Sequence, residues 1–320
     1  MGLRKGHTMT DTHVTISTTT TREIDPDLVP PTLVRGFLSR DLKTGPVHPS
    51  ANRPSDSVRN ATWMPSGPDG TCAGASLYCY NPDGTLVCYS RRLELGRPTL
   101  GAITTERLRI WTALGLADRT NLAAAIMRET HRQQTQPSPT SMHNGHPVRY
   151  PSLRIGAGGD LDTETTGQAW AQATVWAHHN LPDLRIWAYT RSYHLEGQAD
   201  PAAPLARLTR AREGINLGLY LSTDPSMTER TCAALRTTTY GHLPVAILAR
   251  TTAEGLAILD RLPTDNPRAI VCPVDDGRLG LTVSRRGTTH YEGACQKCRA
   301  CIPLGHKSLV ERPHVIFLQR

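Results

Sequence analysis

A series of short apolar segments that alternate with helical stretches after residue 148 limits the possible folds of this chain more than any other feature. The candidate strands cover residues 153–157, 184–189, 215–221, 245–249 and 269–272. Between the first two lies an amphipathic stretch, residues 163–179, in which Trp170, Ala173 and Trp176 recur at helical spacing. Strand–helix–strand units of this length predict parallel strands with right-handed crossovers. We therefore expect an α/β fold, either a partial (β/α) barrel or an open parallel sheet.

The rest of the chain divides into regions of different composition. Residues 1–60 are rich in Thr, Pro, Ser and Asn with little apolar periodicity, which predicts a mostly flexible N-terminal arm in which residues 33–42 are the candidate ordered segment. Residues 61–147 contain three cysteines and a helical pattern over 103–133, and residues 148–320 hold the parallel α/β core. The core ends in a cysteine-rich segment, which we expect to bind a metal.

The composition is that of a soluble globular protein. The chain has 320 residues, of which 38% are hydrophobic, and the mean hydropathy is −0.37. No apolar run is long enough for a transmembrane helix, and residues 1–21 lack the apolar core of a secretory signal. These features predict a cytoplasmic protein with no membrane partner. They also make metal binding or catalysis a better explanation of the eight cysteines than disulfides.

The formal net charge is +8, and the excess of basic residues is uneven. Ten arginines but only four acidic residues lie between positions 91 and 154. A basic face of this kind can bind a phosphate backbone, which makes nucleic acid a candidate partner. The alternative is that arginine serves only as a solubilising surface residue.

The strongest motif is the run Cys295, Cys298 and Cys301, with Cys272-Pro273 upstream as the source of a fourth ligand. Two residues between successive thiolates allow a turn to direct the sulfurs at one ion. Three such cysteines with a remote Cys-Pro resemble the ligands of a [4Fe–4S] cluster. Zinc is the competing metal, held by four cysteines or by three cysteines and His306. We call Cys272, Cys295, Cys298 and Cys301 the second cysteine group.

Three other cysteines, Cys72, Cys79 and Cys88, form the first cysteine group. No fourth cysteine stands near them, so a metal bound here keeps an open coordination position, as a catalytic metal or cluster requires. The alternatives are a structural zinc completed by a histidine such as His48, or buried thiols without a metal.

Polar residues and glycines follow three consecutive candidate strands. Because ligands in parallel α/β folds bind beyond the carboxyl ends of the strands, these positions form a candidate site. Asp160, Arg191 and Asp224 are the candidate catalytic residues, and we call them the strand-end site. Glycine allows a ligand to approach the backbone closely. The candidate cofactor-binding residues are Gly158, Gly159, Tyr189 and Ser222.

The order of these motifs resembles a known family. The motifs are Lys43-Thr44-Gly45, Cys88-Tyr89, Gly159-Asp160, Tyr189-Thr190-Arg191-Ser192, Ser222-Thr223-Asp224, Cys272-Pro273 and the run that ends at Cys301. Over residues 43–302 this order is similar to that of the gene product 88 family of phages and plasmids, mainly from actinobacteria. The resemblance implies a protein of a mobile element and implies no particular reaction.

Three functions fit the motifs. The first is an iron–sulfur enzyme similar to the radical S-adenosylmethionine group, acting on nucleic acid or a nucleotide, with S-adenosylmethionine as a candidate cofactor. The second is a zinc-stabilised nucleic-acid-binding protein without catalysis. The third is a hydrolase or base-modifying transferase that uses Asp160 or Asp224 as nucleophile or base. The identity of the metal separates the first two.

Overall fold

The computed structural model describes a defined part of the chain. The described residues are 23–39, 59–66, 70–72, 88–135, 142–143, 146–147, 151–195, 197, 199–211, 216–266, 268–273, 282–283, 289–290, 298, 300–303 and 312–318. Cys79 and Cys295 therefore lie outside the described residues, as do His48, His306 and the Lys43-Thr44-Gly45 motif.

The described elements comprise eight α-helices and twelve β-strands. The helices are α1 (Pro31–Phe37), α2 (Tyr89–Gly96), α3 (Pro98–Ala113), α4 (Leu116–Thr135), α5 (Glu164–Asn180), α6 (Ala203–Ala211), α7 (Thr228–Leu235) and α8 (Thr252–Leu259). The strands are β1 (Leu38–Ser39), β2 (Ala61–Trp63), β3 (Met142–His143), β4 (His146–Pro147), β5 (Ser152–Gly158), β6 (Arg185–Thr190), β7 (Leu217–Thr223), β8 (Val245–Ala249), β9 (Ala269–Val271), β10 (Thr282–Val283), β11 (Thr289–His290) and β12 (His314–Leu318). Short 3₁₀ helices cover Pro26–Leu28 and Pro225–Met227.

Eight of these strands form one sheet in the order β1-β2-β5-β6-β7-β8-β12-β9. All neighbours are parallel except β1 and β2. From β2 to β8 the strands that follow one another in this sheet also lie side by side, which is the strand order of a (β/α) barrel. Strands β1 and β9 are the two edges, so the described sheet is open. The predicted α/β fold with a parallel sheet is thus confirmed.

The order departs from the barrel pattern at the end of the chain. β12, the last strand, lies between β8 and β9 and pairs in parallel with both. Val315 pairs with Ala246 on one side and with Ile270 on the other. β9 is therefore an edge strand, and Cys272 follows its carboxyl end.

One face of the sheet carries the main core. Strand residues such as Leu153, Ile186 and Leu219 are buried there. Helices α4 to α8 contribute Leu122, Trp170, Leu205, Leu235 and Ile258 to the same cluster. We call this the helix face. Alternate strand residues point to the other face, which we call the inner face.

The inner face has its own, smaller clusters. At one end, Leu93 of α2 packs against Ala61, Trp63 and Ala157. Over β7, β8 and β12, a second cluster joins Tyr220, Ala246 and Val315, and Tyr189, Phe317, Cys272 and Cys301 pack against it. The inner face is thus where the cysteine-bearing segments meet the sheet.

The predicted elements match the observed ones closely where the periodicity was clear. The predicted helix over 163–179 is α5, and Thr163 caps it by accepting a hydrogen bond from the Thr166 backbone N–H. The helical pattern over 103–133 is divided into α3 and α4, because the chain leaves the helix at Leu114 and Gly115.

Part of the predicted flexible arm belongs to the core. Val34 and Phe37 of α1 are buried in the main cluster, and β1 pairs with β2. The candidate ordered segment 33–42 overlaps α1 and β1. Seven residues are too few to show apolar periodicity, so the sequence pattern did not predict that this segment begins as a helix. None of the helices in the described ranges is both long and apolar enough to cross a bilayer.

Candidate functional site

The three residues of the strand-end site lie together at the carboxyl edge of the sheet. They follow β5, β6 and β7, which are adjacent and parallel. The Arg191 backbone N–H donates to Asp160 Oδ2 at 2.6 Å, and Arg191 Nη1 donates to Asp224 Oδ2 at 2.6 Å. Arg191 therefore links the two carboxyl groups.

The electrostatics of the two carboxyl groups differ. Asp224 is fully buried and forms an ion pair with Arg191, whose side chain is 15% exposed. Burial raises the pKa of Asp160, although hydrogen bonds from the backbone N–H groups of Arg191 and Leu161 oppose the shift. Because a raised pKa favours the protonated acid, Asp160 is suited to hold or transfer a proton.

Neither aspartate caps one of the α-helices. Thr163, not Asp160, is the N-cap of α5. Asp224 caps only the short 3₁₀ helix that follows it, where Oδ1 accepts from the Ser226 N–H at 2.9 Å. The arrangement goes beyond helix capping, since Asp224 uses its other oxygen for Arg191.

The two predicted cofactor-binding glycines are required by the packing of the chain itself. A Cβ atom on Gly158 would lie 2.1 Å from the Trp63 ring, and one on Gly159 would lie 2.4 Å from Thr71 Oγ1. Gly159 also has φ of +75°, which side chains disfavour. Here the close neighbours of the glycines are protein residues, and a binding role for Gly158 and Gly159 stays a prediction.

A buried carboxylate, Glu94 of α2, organises the loop that follows β2. It accepts hydrogen bonds from Trp63 Nε1 at 3.0 Å and from the backbone N–H and Oγ of Ser66 at 3.1 and 2.9 Å. Arg91 lies 3.5 Å from its other oxygen. Ser66 Oγ in turn accepts from the Gly159 N–H at 3.0 Å. Glu94 thus connects α2 and the 63–66 loop to the end of β5.

Two members of the first cysteine group lie in this polar region. Cys72 follows Thr71, whose Oγ1 accepts from the Asp160 N–H at 2.9 Å. Cys88 is the N-cap of α2, and Ser90 in the first turn of that helix lies 3.5 Å from the Ala157 carbonyl. Both cysteines are partly buried. They therefore lie near the strand ends that carry Asp160.

Two members of the second cysteine group, Cys272 and Cys301, pack at the inner face. Burial, together with the neighbouring Cys272 and Cys298, raises the pKa of the Cys301 thiol to about 12. The Tyr189 hydroxyl and Arg154 oppose this shift. Tyr220 Oη donates to the Ala300 carbonyl at 3.0 Å and so fixes the segment between Cys298 and Cys301.

Aromatic rings and arginines surround these cysteines. The Tyr189 ring lies 5.4–5.6 Å from the rings of Trp187, Tyr220 and Phe317. The Arg154 guanidinium lies 5.2 Å from the centre of the Tyr189 ring. Tyr189, predicted to bind a cofactor, is thus an inner-face residue beside Cys301, and Ser222 is a partly buried residue near the end of β7.

In the part of the chain that the structure describes, no group of three or more Cys, His, Asp or Glu side chains has the arrangement of a metal site. None of the six described cysteines forms a disulfide. Cys79 and Cys295 fall outside that part, so neither cysteine group is described completely. The predicted metal-binding segment remains a prediction.

The comparison with known families gives one match. The family model described as gene product 88 matches residues 39–304. The chain belongs to the gene product 88 family. No curated protein and no solved structure shows significant similarity to it.

In this gene product 88 protein, most described arginines of the basic stretch have partners within the chain. Arg109, Arg128 and Arg132 form ion pairs with Glu106, Asp27 and Glu129. Arg107 and Arg119 are buried and donate to backbone carbonyls of Gly36 and Leu114, respectively. The predicted basic face thus receives little support from the described residues.

Sequence patterns alone did not identify several residues that shape the site of this gene product 88 protein. Glu94 stands in a charged helix and carries no sign of burial in the sequence. Gly218 lies inside β7, and a Cβ there would come within 2.6 Å of Arg312 Nη1 and 3.1 Å of the Cys301 carbonyl. A glycine inside a strand often marks a close approach of another segment. The sequence could therefore have identified Gly218, whereas it gave no signal for Glu94.

Proposed function

We propose that this gene product 88 protein is a metal-dependent enzyme whose reaction centre lies at the carboxyl edge of the sheet. The first cysteine group would hold a metal or an iron–sulfur cluster with an open coordination position, and the second group would hold a closed, structural one. The observation that carries the proposal is the position of Cys72 and Cys88 beside the strand ends of the Asp160 site. An open metal position is useful only where a substrate also binds, and parallel α/β folds bind substrates at this edge.

The chemistry of the donor residues fits this proposal. Thiolates accept both zinc and iron–sulfur clusters. A buried position for Cys301 beside Cys272 and Cys298 is unfavourable for its thiolate form, as the raised pKa of Cys301 indicates. A bound cation removes this cost because coordination favours the thiolate form. Among the candidate metals we favour an iron–sulfur cluster, and zinc is the alternative.

Roles for the chain's own residues follow from the geometry. Asp160 would hold a proton, because burial raises its pKa. Arg191 would keep Asp160 and Asp224 in position, since it bonds to both. Cys72, Cys79 and Cys88 would hold an iron–sulfur cluster with an open position, which would supply electron-transfer chemistry toward a bound co-substrate such as S-adenosylmethionine. A nucleotide or nucleic acid is the proposed substrate class.

The test is an anaerobic purification of the full chain, followed by visible absorption and by iron, sulfide and zinc analysis. We expect a brown protein that contains iron and acid-labile sulfide. A colourless protein that contains only zinc would support the zinc-stabilised binding protein instead. A Cys232→Ser variant is the matched control, because Cys232 lies buried in α7 on the helix face and belongs to neither cysteine group.

A further inference from the structure

A buried arginine, Arg312, lies two residues before β12 and belongs neither to the strand-end site nor to a cysteine group. Only 6% of its surface is exposed. The Asn266 side chain donates to the Arg312 backbone carbonyl at 2.6 Å and so fixes the chain at this position. The guanidinium is charged, because arginine stays protonated in proteins. A charge at this degree of burial destabilises the folded chain unless an anion compensates it.

The described groups that act on the charge of Arg312 include no carboxylate. Burial lowers the pKa of Arg312, Tyr220 and Cys301 raise it, and the nearby cation Arg185 lowers it further. Nη1 of Arg312 is buried and has no hydrogen-bond partner in the described part of the chain. Burial raises the pKa of the Tyr220 hydroxyl, which is therefore neutral near pH 7. Of these three neighbours, only Cys301 can supply negative charge.

Gly218 of β7 allows Arg312 and the Cys301 segment to approach each other. A Cβ atom on Gly218 would lie 2.6 Å from Arg312 Nη1 and 3.1 Å from the Cys301 carbonyl oxygen. The two groups therefore share the space that a side chain would fill at this position. Tyr220, two residues along β7, donates to the Ala300 carbonyl at 3.0 Å. Gly218 and Tyr220 thus hold the backbone that carries Cys301 beside the guanidinium.

A metal bound by the second cysteine group would supply the negative charge that Arg312 needs. Four thiolates around Zn²⁺, or around a [4Fe–4S]²⁺ cluster, leave a net charge of about −2. Protonated thiols carry no charge, so in the metal-free chain Arg312 stays an uncompensated buried cation. In the metal-loaded chain the attraction is strong, because buried surroundings screen charges weakly.

We propose that Arg312 is the counter-charge of the metal–thiolate centre at the second cysteine group. This inference rests on the proposed function, because it requires a metal at that group. Arg312 does not bind the metal and acts on it through the field of its charge, so it is a positioning residue. It follows that Arg312 stabilises the metal-loaded chain and destabilises the metal-free one.

Metal release from the full, anaerobically purified chain tests this proposal. Release of iron and zinc into excess EDTA is followed by metal analysis, and Cys298→Ser, which should lack the metal of the second group, identifies its phase. Arg312→Met removes the charge and should release that metal about tenfold or more faster, since residues outside the ligand shell typically change metal affinity by about 10–100-fold.

Two further variants separate charge from structure. Arg312→Lys keeps the charge and should restore most of the retention that Arg312→Met loses, whereas a role that depends on the planar guanidinium alone is not rescued by lysine. Arg119→Met is the matched control, because Arg119 is a buried arginine of α4 that donates to backbone carbonyls on the helix side of the molecule. It should release the metal at the rate of the unaltered chain.

The melting temperature gives a second, independent measurement. Arg312→Met should lower the melting temperature of the metal-loaded chain. In the Cys298→Ser background the same change should leave the melting temperature unchanged or raise it, because it removes an uncompensated buried charge. An arginine with a purely structural role would lower both melting temperatures alike. If Cys298→Ser does not fold, the release rates decide.

The outcomes separate this inference from the proposed function. An unaltered chain that holds no metal at the second cysteine group overturns both. A chain that holds the metal, but releases it equally fast before and after Arg312→Met, overturns this inference alone. Failure of Arg312→Lys to restore retention has the same meaning. If Arg312→Met does not fold, Arg312→Gln takes its place in both measurements.

Discussion

The described cysteines of the two groups lie against the same sheet in contrasting surroundings. Cys72 and Cys88 lie among directional hydrogen bonds, in which Glu94, Ser66 and Thr71 connect the loop after β2 to the end of β5. In the second group, Cys272 and Cys301 pack against aromatic rings at the inner face. Polar contacts therefore position the region around Cys72 and Cys88, near a candidate reaction centre. Burial stabilises the region around Cys272 and Cys301, as a structural site requires.

The largest effect on the free energy of unfolding should come from breaking the ion pair of the strand-end site. Arg191→Met leaves the fully buried Asp224 without its cation, which costs about 3–5 kcal/mol of unfolding free energy for a broken buried pair. Arg261→Met removes an exposed partner of Glu229 and should cost about 0–1 kcal/mol. Denaturant unfolding of both variants measures the difference, and equal costs would mean that the buried pair does not stabilise the carboxyl edge.

The polar region around the first cysteine group depends on Glu94. Glu94→Gln keeps the shape but places an amide NH₂ among donors, so we expect a loss of about 1–3 kcal/mol in unfolding free energy. Glu229→Gln, at an exposed carboxylate, is the control and should stay within about 0.5 kcal/mol. Chemical denaturation followed by Trp fluorescence measures both. If Glu94→Gln leaves the free energy of unfolding unchanged, the carboxylate does not hold this region.

The second region should respond to steric change at Gly218. The Cβ of Gly218→Ala would crowd Arg312 and the Cys301 carbonyl, so overpacking should cost about 1–3 kcal/mol. Gly36→Ala in α1, where a Cβ meets nothing within 4 Å, should instead be neutral or stabilising by up to about 1 kcal/mol. Thermal unfolding of both variants is the measurement. An unchanged melting temperature for Gly218→Ala would argue against close packing of the Cys301 segment on β7.

The smallest effect should come from the hydroxyl of Tyr220. Tyr220→Phe keeps the ring in the aromatic cluster and removes its hydroxyl, including the hydrogen bond to the Ala300 carbonyl, a loss of about 0.5–1.5 kcal/mol. The rate of amide hydrogen exchange should rise in residues 300–302 and stay unchanged in α5. If the variant leaves the exchange rate of residues 300–302 unchanged as well, Tyr220 does not hold this part of the chain.

The sequence predicted the parts of the fold that rest on repeated local patterns. The strands that became β5, β6 and β8 and the helix α5 each bury regular apolar positions, so periodicity located them. The juxtaposition of Asp160, Arg191 and Asp224 followed from the general behaviour of parallel strand ends.

Other features depend on contacts between distant parts of the chain. β12 pairs with β8 and β9, and no local pattern could indicate its place between them. The basic stretch illustrates a second limit, because charge counts do not show that Arg107 and Arg119 are buried and bonded to backbone carbonyls. Glu94 is a third case, because the sequence does not distinguish a buried carboxylate from an exposed one.

The most direct test asks whether the first cysteine group holds an open, catalytic metal and the second a structural one. It compares metal content and thermal unfolding in Cys88→Ser and Cys298→Ser, with Cys232→Ser as the control. All three proteins are purified anaerobically and analysed for iron, sulfide and zinc. If the first group holds an open metal at the reaction centre, Cys88→Ser should lose that metal and keep its melting temperature. Cys298→Ser should lose the second metal and melt at a lower temperature. A Cys88→Ser protein that unfolds, or an unaltered chain without bound metal, would contradict the account.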